Sequence, residues 1–308
     1  MEFGKVANPD EIDFRMPEDD PLTDMTLSRL IPDDPRPLRI YVGGTNWGTR
    51  EWVGILYPRK TKEKDFLAHY GRQLNTIELN TLFYNLQSTA TIEKWASLVE
   101  PGFKFCPKFL NRISHELQLE NAERDTDLFI EHVHHFGDKL GPSFLQLSDR
   151  FGPERSGLLE RYCRRMPSDF SFFVEVRHEE WFRSGGGGGV QGIWGMLQEL
   201  GVGAVITDTS GRRDCLHMKL TAPRAFIRFV ANNNHPTDRP RLDAWALRLR
   251  HWISKGLREV YFFVHSHNEL HSPELAHYAI GRFNAECGAG LRLPQLANGG
   301  QPENLSLF

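Results

Sequence analysis

Residues two apart in a β-strand share a face, and three such pairs of chemically able side chains recur along this chain. They are Glu78 with Asn80, Glu175 with Arg177, and His265 with His267. Each pair lies at or near the C-terminal end of a short apolar run. Asn46, Lys108, Gln146, Asp208 and Arg228 hold comparable places in five further runs. Glu78, Glu175 and Asp208 are candidate acid–base groups, and His178 joins them as a catalytic candidate. Paired carboxylates serve glycoside hydrolysis or proton abstraction beside a carbonyl. Lys108, Arg177 and Arg228 suit the clamping of phosphate or carboxylate. Trp47 and Tyr84 offer rings that would stack on a sugar or base. Asn46, Asn80, Gln146, His265 and His267 complete the substrate-binding candidates.

Several of these side chains are also of metal-ligand type: His265, His267, Glu78, Glu175, His178, Asp208 and His235. No HExxH or similar tight spacing is present, but ligands drawn from separate strands need no local motif. A divalent metal is therefore carried as a candidate cofactor without an assigned ligand set.

These residues need a scaffold that brings eight strand ends together. Apolar runs rich in β-branched and aromatic residues fall at 39–47, 76–84, 103–109, 144–148, 171–178, 204–209, 225–232 and 260–267. Such content suits strands buried on both faces. Helical patterns fill most gaps, at 62–73, 89–99, 126–136, 154–166, 190–200, 241–255 and 273–287. Ser88 or Thr89 is placed to cap the second of these, and Gly201 and Gly256 are placed as helix C-caps. Strands alternating with helices imply parallel pairing, and eight units imply closure into an α/β, TIM-type (β/α)8 barrel. About fifteen residues separate strands six and seven, too few for a comfortable crossover helix, so an irregular link is expected there. Barrel active sites lie at the C-terminal strand ends. Polar side chains at all eight of those ends, where each would cost roughly 1–3 kcal/mol if left unpaired, argue for a site, although any one of them also suits a structural role.

The rest of the chain bounds the problem. It has 308 residues, 40% hydrophobic and 25% charged, with a formal net charge of −3. Residues 1–37 hold ten Asp/Glu and four Lys/Arg, a balance of −6, so the remainder is about +3 and does not call for nucleic acid on charge alone. We expect three regions: an acidic arm over 1–37, the barrel over 38–290, and a tail over 291–308. The arm is expected to be extended or partly disordered, with docking through Phe3, Phe14, Leu27 and Leu30 as the alternative. The five-glycine run 185–189 should be mobile. There is no signal-like start and no apolar stretch long enough to span a bilayer. Four scattered cysteines without a CxxC pair suggest reduced thiols in a cytoplasmic protein.

A family resemblance enters on several separate motifs. Gly43-Gly44-Thr45-Asn46-Trp47 and the following Trp52-Val53-Gly54-Ile55-Leu56-Tyr57-Pro58 resemble G-x-S-x-W…W-x-G-x-F-Y-P. The segment Thr76-Ile77-Glu78-Leu79-Asn80-Thr81-Leu82-Phe83-Tyr84 resembles T-V-E-I-N-S-T-F-Y. Pro101-Gly102-Phe103-Lys104-Phe105, Lys108 and Ile113-Ser114-His115 resemble P-x-F-x-F-x-x-K…I-T-H. Leu140-Gly141-Pro142 with Leu145-Gln146-Leu147 resembles L-G-P…Q-L-P. Glu175-Val176-Arg177-His178 with Trp181-Phe182 resembles E-x-R-H-x-S-W-F. In this order the chain resembles the YecE-like family, the domain of unknown function numbered 72. The resemblance implies a TIM barrel and supplies no reaction. His265 and His267 stand where the family often has F-N-N, so no role is carried over to them. The final Asn304-Leu305-Ser306-Leu307-Phe308 resembles a bacterial sliding-clamp-binding motif, which would make Leu305, Leu307 and Phe308 partner-binding residues; the alternative is a tail packed on its own barrel.

The function these observations favour is an enzyme, a phosphoester or glycoside hydrolase, acting at the barrel mouth on a phosphorylated small molecule or nucleic acid, with DNA repair as its sharpest form. A carbohydrate-directed hydrolase or isomerase and a non-catalytic adaptor recruiting partners through its tail are the alternatives.

Overall fold

The computed structural model describes residues 3–32, 34–183 and 192–297. The five-glycine run and the terminal Leu305, Leu307 and Phe308 lie outside the described residues.

Eight parallel strands form the core: β1 Arg39–Gly44, β2 Thr76–Leu79, β3 Lys104–Pro107, β4 Ser143–Gln146, β5 Phe172–Glu175, β6 Gly203–Asp208, β7 Ala225–Ala231 and β8 Glu259–Ser266. They are ordered β3-β2-β1-β8-β7-β6-β5-β4. The two ends of that order meet through single bridges, Phe105 with Leu140 and Lys108 with Phe144. Gly141 N donates to Phe105 O at 2.7 Å and Phe109 N to Phe144 O at 3.1 Å, which nearly closes the barrel. Six of the eight strands are shorter than the apolar runs, all but β6 and β8. After Leu79, Asn80 takes an α-region conformation and the chain turns into a short helix, Thr81–Tyr84, so the run 76–84 is half strand and half helix.

In chain order the helices begin with α1 Pro21–Ser28, followed by α2 Phe66–Gln73, α3 Thr81–Tyr84, α4 Thr89–Leu98 and α5 Glu123–His134. After these come α6 Ser156–Arg165, α7 Ile193–Glu199, α8 Asp238–Ser254 and α9 Ser272–Cys287. Ser88 caps α4 through its side chain. Gly201 and Gly256 follow α7 and α8 at φ +68° and +104°, left-handed conformations that end a helix and suit glycine. No described helix is long and apolar enough to cross a membrane.

The link between β6 and β7 contains a single turn of 3₁₀ helix, Arg213–Cys215, and no α-helix. The N-terminal arm fills that place. Helix α1 is capped by the Asp20 side chain and started by Pro21. Thr23 and Thr26 donate through Oγ1 to the carbonyls of Met218 and Leu220, at 2.6 and 2.5 Å. On the α7 side, Gln198 Nε2 donates to Thr26 Oγ1 at 2.7 Å. On the α8 side, Asp19 pairs with Arg248 and accepts from Trp252 Nε1 at 3.0 Å. Leu22 and Leu27 are buried and Leu30 packs against the core.

Strand alternation divides the apolar residues into two clusters. One lies between sheet and helices. The other is Tyr41, Cys106, Phe144, Phe173, Val205, Phe226, Tyr261 and Phe263, which fills the barrel itself. Two residues onward from six of these, on the same face and toward the C-terminal end, stand Lys108, Gln146, Glu175, Thr207, Arg228 and His265. The apolar plug is thus the floor of a polar layer.

Candidate active site

Arg228 is the centre of that layer, with no exposed surface. Its Nε and Nη2 donate to Glu78 Oε2 and Oε1 at 2.9 and 3.1 Å. Its Nη1 donates to both carboxylate oxygens of Glu175 at 2.9 and 2.8 Å. The planar guanidinium fork suits two carboxylates at once. Register assists: Gln146 pairs with Glu175 across β4 and β5, and Thr207 with Arg228 across β6 and β7.

The remaining lone pairs of both carboxylates are occupied. Asn80 Nδ2 donates to Glu78 Oε1 at 2.9 Å, and His265 Nε2 shares a 2.9 Å hydrogen bond with Glu78 Oε2. Gln146 Nε2 and Thr207 Oγ1 donate to Glu175 at 2.7 and 3.1 Å, and Arg177 Nε at 3.3 Å. Burial alone would raise the pKa of both acids. For Glu78 the Arg228 charge, with the His265 hydrogen bond, outweighs it and holds the carboxyl well below its ordinary value. For Glu175, Arg228 and Arg177 do the same, helped by the Gln146 hydrogen bond.

Two cations at the rim keep donors unfilled. Lys108, just beyond β3, donates to Gln146 Oε1 at 2.7 Å and lies 3.8 Å from the centre of the Phe83 ring. An ammonium carries three donors, and Gln146 is its one hydrogen-bond acceptor among the described residues. Burial first, and the nearby Arg228 and Arg177 charges next, pull its pKa down to about 7. Arg177 Nη2 is buried and has no hydrogen-bond partner among the described residues. Beside them, burial and the Lys108 charge push His115 down to about 4, so its imidazole is neutral near pH 7. Two carboxylates therefore face three cations whenever Lys108 is protonated.

Other expected site residues fall elsewhere. Asp208 is one residue off the inward face of β6, whose lumen residues are Val205 and Thr207. Its carboxylate faces α8, accepting from Arg241 Nη2 and Trp245 Nε1 at 2.8 Å each, with Arg213 as a third partner. His178 accepts from Glu180 N at 3.2 Å and caps the turn Glu179–Trp181. Asn46 shapes its own loop through Gly48 N and Thr49 Oγ1. Trp47 sets its ring edge-on to Trp95. Tyr84 is 82% exposed at the end of α3, against Phe83. His267 follows the end of β8 and is half-buried. Thr207 was not among the expected residues; its signal was the i, i+2 step from Val205.

No group of three or more His, Cys, Asp or Glu side chains is arranged to hold a metal ion among the described residues. The reason is visible at the cluster centre, where a guanidinium stands between the carboxylates that would be ligands. The same pairing is ill-suited to glycoside hydrolysis, which needs one of two carboxyl groups to carry a proton; Arg228 favours the charged form of both.

Comparison with known proteins agrees with this architecture. Two solved structures of DUF72 family proteins match the fold, from Enterococcus faecalis V583 (TM-score 0.60, 18% identity, covering 82% of this chain and 98% of that one) and Thermotoga maritima MSB8 (TM-score 0.60, 21% identity, 81% and 99%). The UPF0759 protein YecE of Escherichia coli strain K12 is 27% identical over 277 residues, covering 83% of this chain and 98% of that protein. The UPF0759 protein YunF of Bacillus subtilis strain 168 is 26% identical over 152 residues, 46% of this chain and 52% of that one. The family described as "Protein of unknown function DUF72" matches residues 41–298, and the chain belongs to that family.

Proposed function

We propose that the chain is an enzyme acting on a phosphate-bearing substrate at the C-terminal mouth of the barrel. The observation that carries this reading is the pair of rim cations, Lys108 and Arg177, which keep unfilled donors although Arg228 bonds both carboxylates and Arg177 Nε reaches Glu175. A buried donor without an acceptor costs about 1–3 kcal/mol, and an incoming oxyanion relieves that cost with charge-assisted hydrogen bonds. His265, oriented by Glu78, is the acid–base group, because both acids are held in their charged form by Arg228. A DNA-repair role would rest on the terminal motif and on the analogy with metal-dependent nucleases of barrel fold, and the geometry of the mouth adds nothing to it.

Sulfate tests the anion clamp, because its charge is constant between pH 6 and 9. It binds best when Lys108 is protonated. The free protein loses that proton as pH rises through about 7, so binding above that point takes up a proton and weakens by roughly tenfold per pH unit. Calorimetric titration should show firm binding at pH 6, a steep fall toward pH 9, and a weak, flat profile in Lys108→Met. Affinity indifferent to both pH and Lys108→Met would sink the proposal.

A further inference from the structure

The segment ahead of α1 runs from the gap between β6 and β7 back over the barrel mouth. The Phe14 ring lies against Arg241 and Arg213, at 4.8 and 5.3 Å from their guanidinium carbons. Asp10 approaches His235 Nε2 at 3.7 Å. Gly4 then docks on the loop after β6: Gly211 N donates to Gly4 O at 2.8 Å, and Thr209 Oγ1 to the same carbonyl at 3.3 Å. Gly4 holds φ at +71°, and a Cβ there would lie 2.3 Å from Thr209 Oγ1. Both the conformation and the close approach require glycine. The adjoining Phe3 places its ring 4.0 Å from the Arg177 guanidinium carbon and 5.3 Å from that of Arg212. Arg212 Nη2 in turn donates to Arg177 O at 3.0 Å.

We infer that Phe3 is a positioning residue of the site and that the N-terminal arm completes the mouth of the barrel. The ring covers one face of the Arg177 guanidinium. A cation held against an aromatic face keeps its plane fixed, and Arg177 Nε is tied at the same time to Glu175. Ring and carboxylate thus restrain the guanidinium from two sides, and Nη2 has no hydrogen-bond partner among the described residues. Residues 1–40 precede the region matched by the family, so Phe3 lies outside that matched region while Arg177 lies within it. Anchoring comes from α1, whose place between α7 and α8 sets where the segment ahead of it can reach. The inference rests on the reading of Arg177 as an anion clamp.

The test uses the full-length chain and sulfate at pH 6. Phe3→Ala should weaken binding by roughly tenfold, and Phe3→Tyr, which restores the ring, should recover it. In an Arg177→Met background Phe3→Ala should cost nothing more, because its effect runs through Arg177. A second readout needs no ligand: the Arg177 Nε–H resonance should move in Phe3→Ala as the ring current is removed. Should the parent chain bind no sulfate, the anion reading falls, while a moved resonance still supports the contact of Phe3 with Arg177. An unmoved resonance, or a Phe3→Ala loss of binding that persists in Arg177→Met, overturns the inference.

Discussion

Replacing Arg228 by Met would leave Glu78 and Glu175 buried without the cation that stands between them. Breaking a buried pair by removing one partner typically destabilises by about 3–5 kcal/mol, because the remaining charge is uncompensated. Urea unfolding of Arg228→Met at pH 7 should show a loss of that size, and neutralising both acids as well, in Glu78→Gln/Glu175→Gln/Arg228→Met, should recover much of it. The pH dependence has a definite sign. In the parent both carboxylates are depressed below 4.5, so their contribution is full above the ordinary carboxylate range and is lost as pH falls toward the depressed values. In Arg228→Met burial dominates and the acids titrate higher, so the deficit shrinks on acidification. A deficit constant from pH 7 to pH 4 would mean that the carboxylates do not depend on Arg228. Glu78, Asn80, Lys108, Gln146, Glu175, Arg177, Arg228 and His265 are legible in the sequence, because the i, i+2 rule and strand ends bring them into one group, although the same rule also admits Asn46, Asp208 and His267. Asp208 was placed among them because a carboxylate at a strand end attracts attention while Thr207 beside it does not. A single-residue shift in parity exchanges the lumen for the helix layer.

At the scale of elements, the short link between β6 and β7 was foreseeable from its length, whereas the identity of what covers it was not. An eight-residue helix is too short to be stable alone, and α1 carries no strong amphipathic signal: its buried residues are Leu22, Thr23, Thr26 and Leu27, half of them polar. The threonines are buried because carbonyls of the link, on Met218 and Leu220, accept their hydroxyls. This is tertiary complementarity that no local pattern records. Helix α1 is therefore expected to be part of the cooperative fold. Leu27→Ala should lower stability by about 2–5 kcal/mol, the usual range for a buried leucine, with a single urea transition. Unfolding at the parental midpoint, or a separate early transition, would show that the arm is an independent appendage.

For the whole molecule the informative place is the seam between β3 and β4. Every other neighbouring pair has a ladder of at least two registered residues, whereas here closure relies on isolated bridges and two backbone hydrogen bonds, Gly141 to Phe105 and Phe109 to Phe144. The seam also passes through the site. Lys108 belongs to the β3 side and reaches across to Gln146 at the end of β4, while Arg177 follows β5. An anion held jointly by Lys108 and Arg177 would bind only when the two sides are in register, so its binding energy must add to the stability of the closed seam. Local opening governs the exchange of such amides, and saturating sulfate at pH 6 should slow hydrogen exchange at Phe109 and Gly141. Amides in the middle of β7 and β8, which open only with the whole fold, should gain no more than these two. The effect should vanish in Lys108→Met. If sulfate binds yet leaves Phe109 and Gly141 exchanging at their free rates, the anion sits on one side of the seam and Lys108 does not hold it together with Arg177.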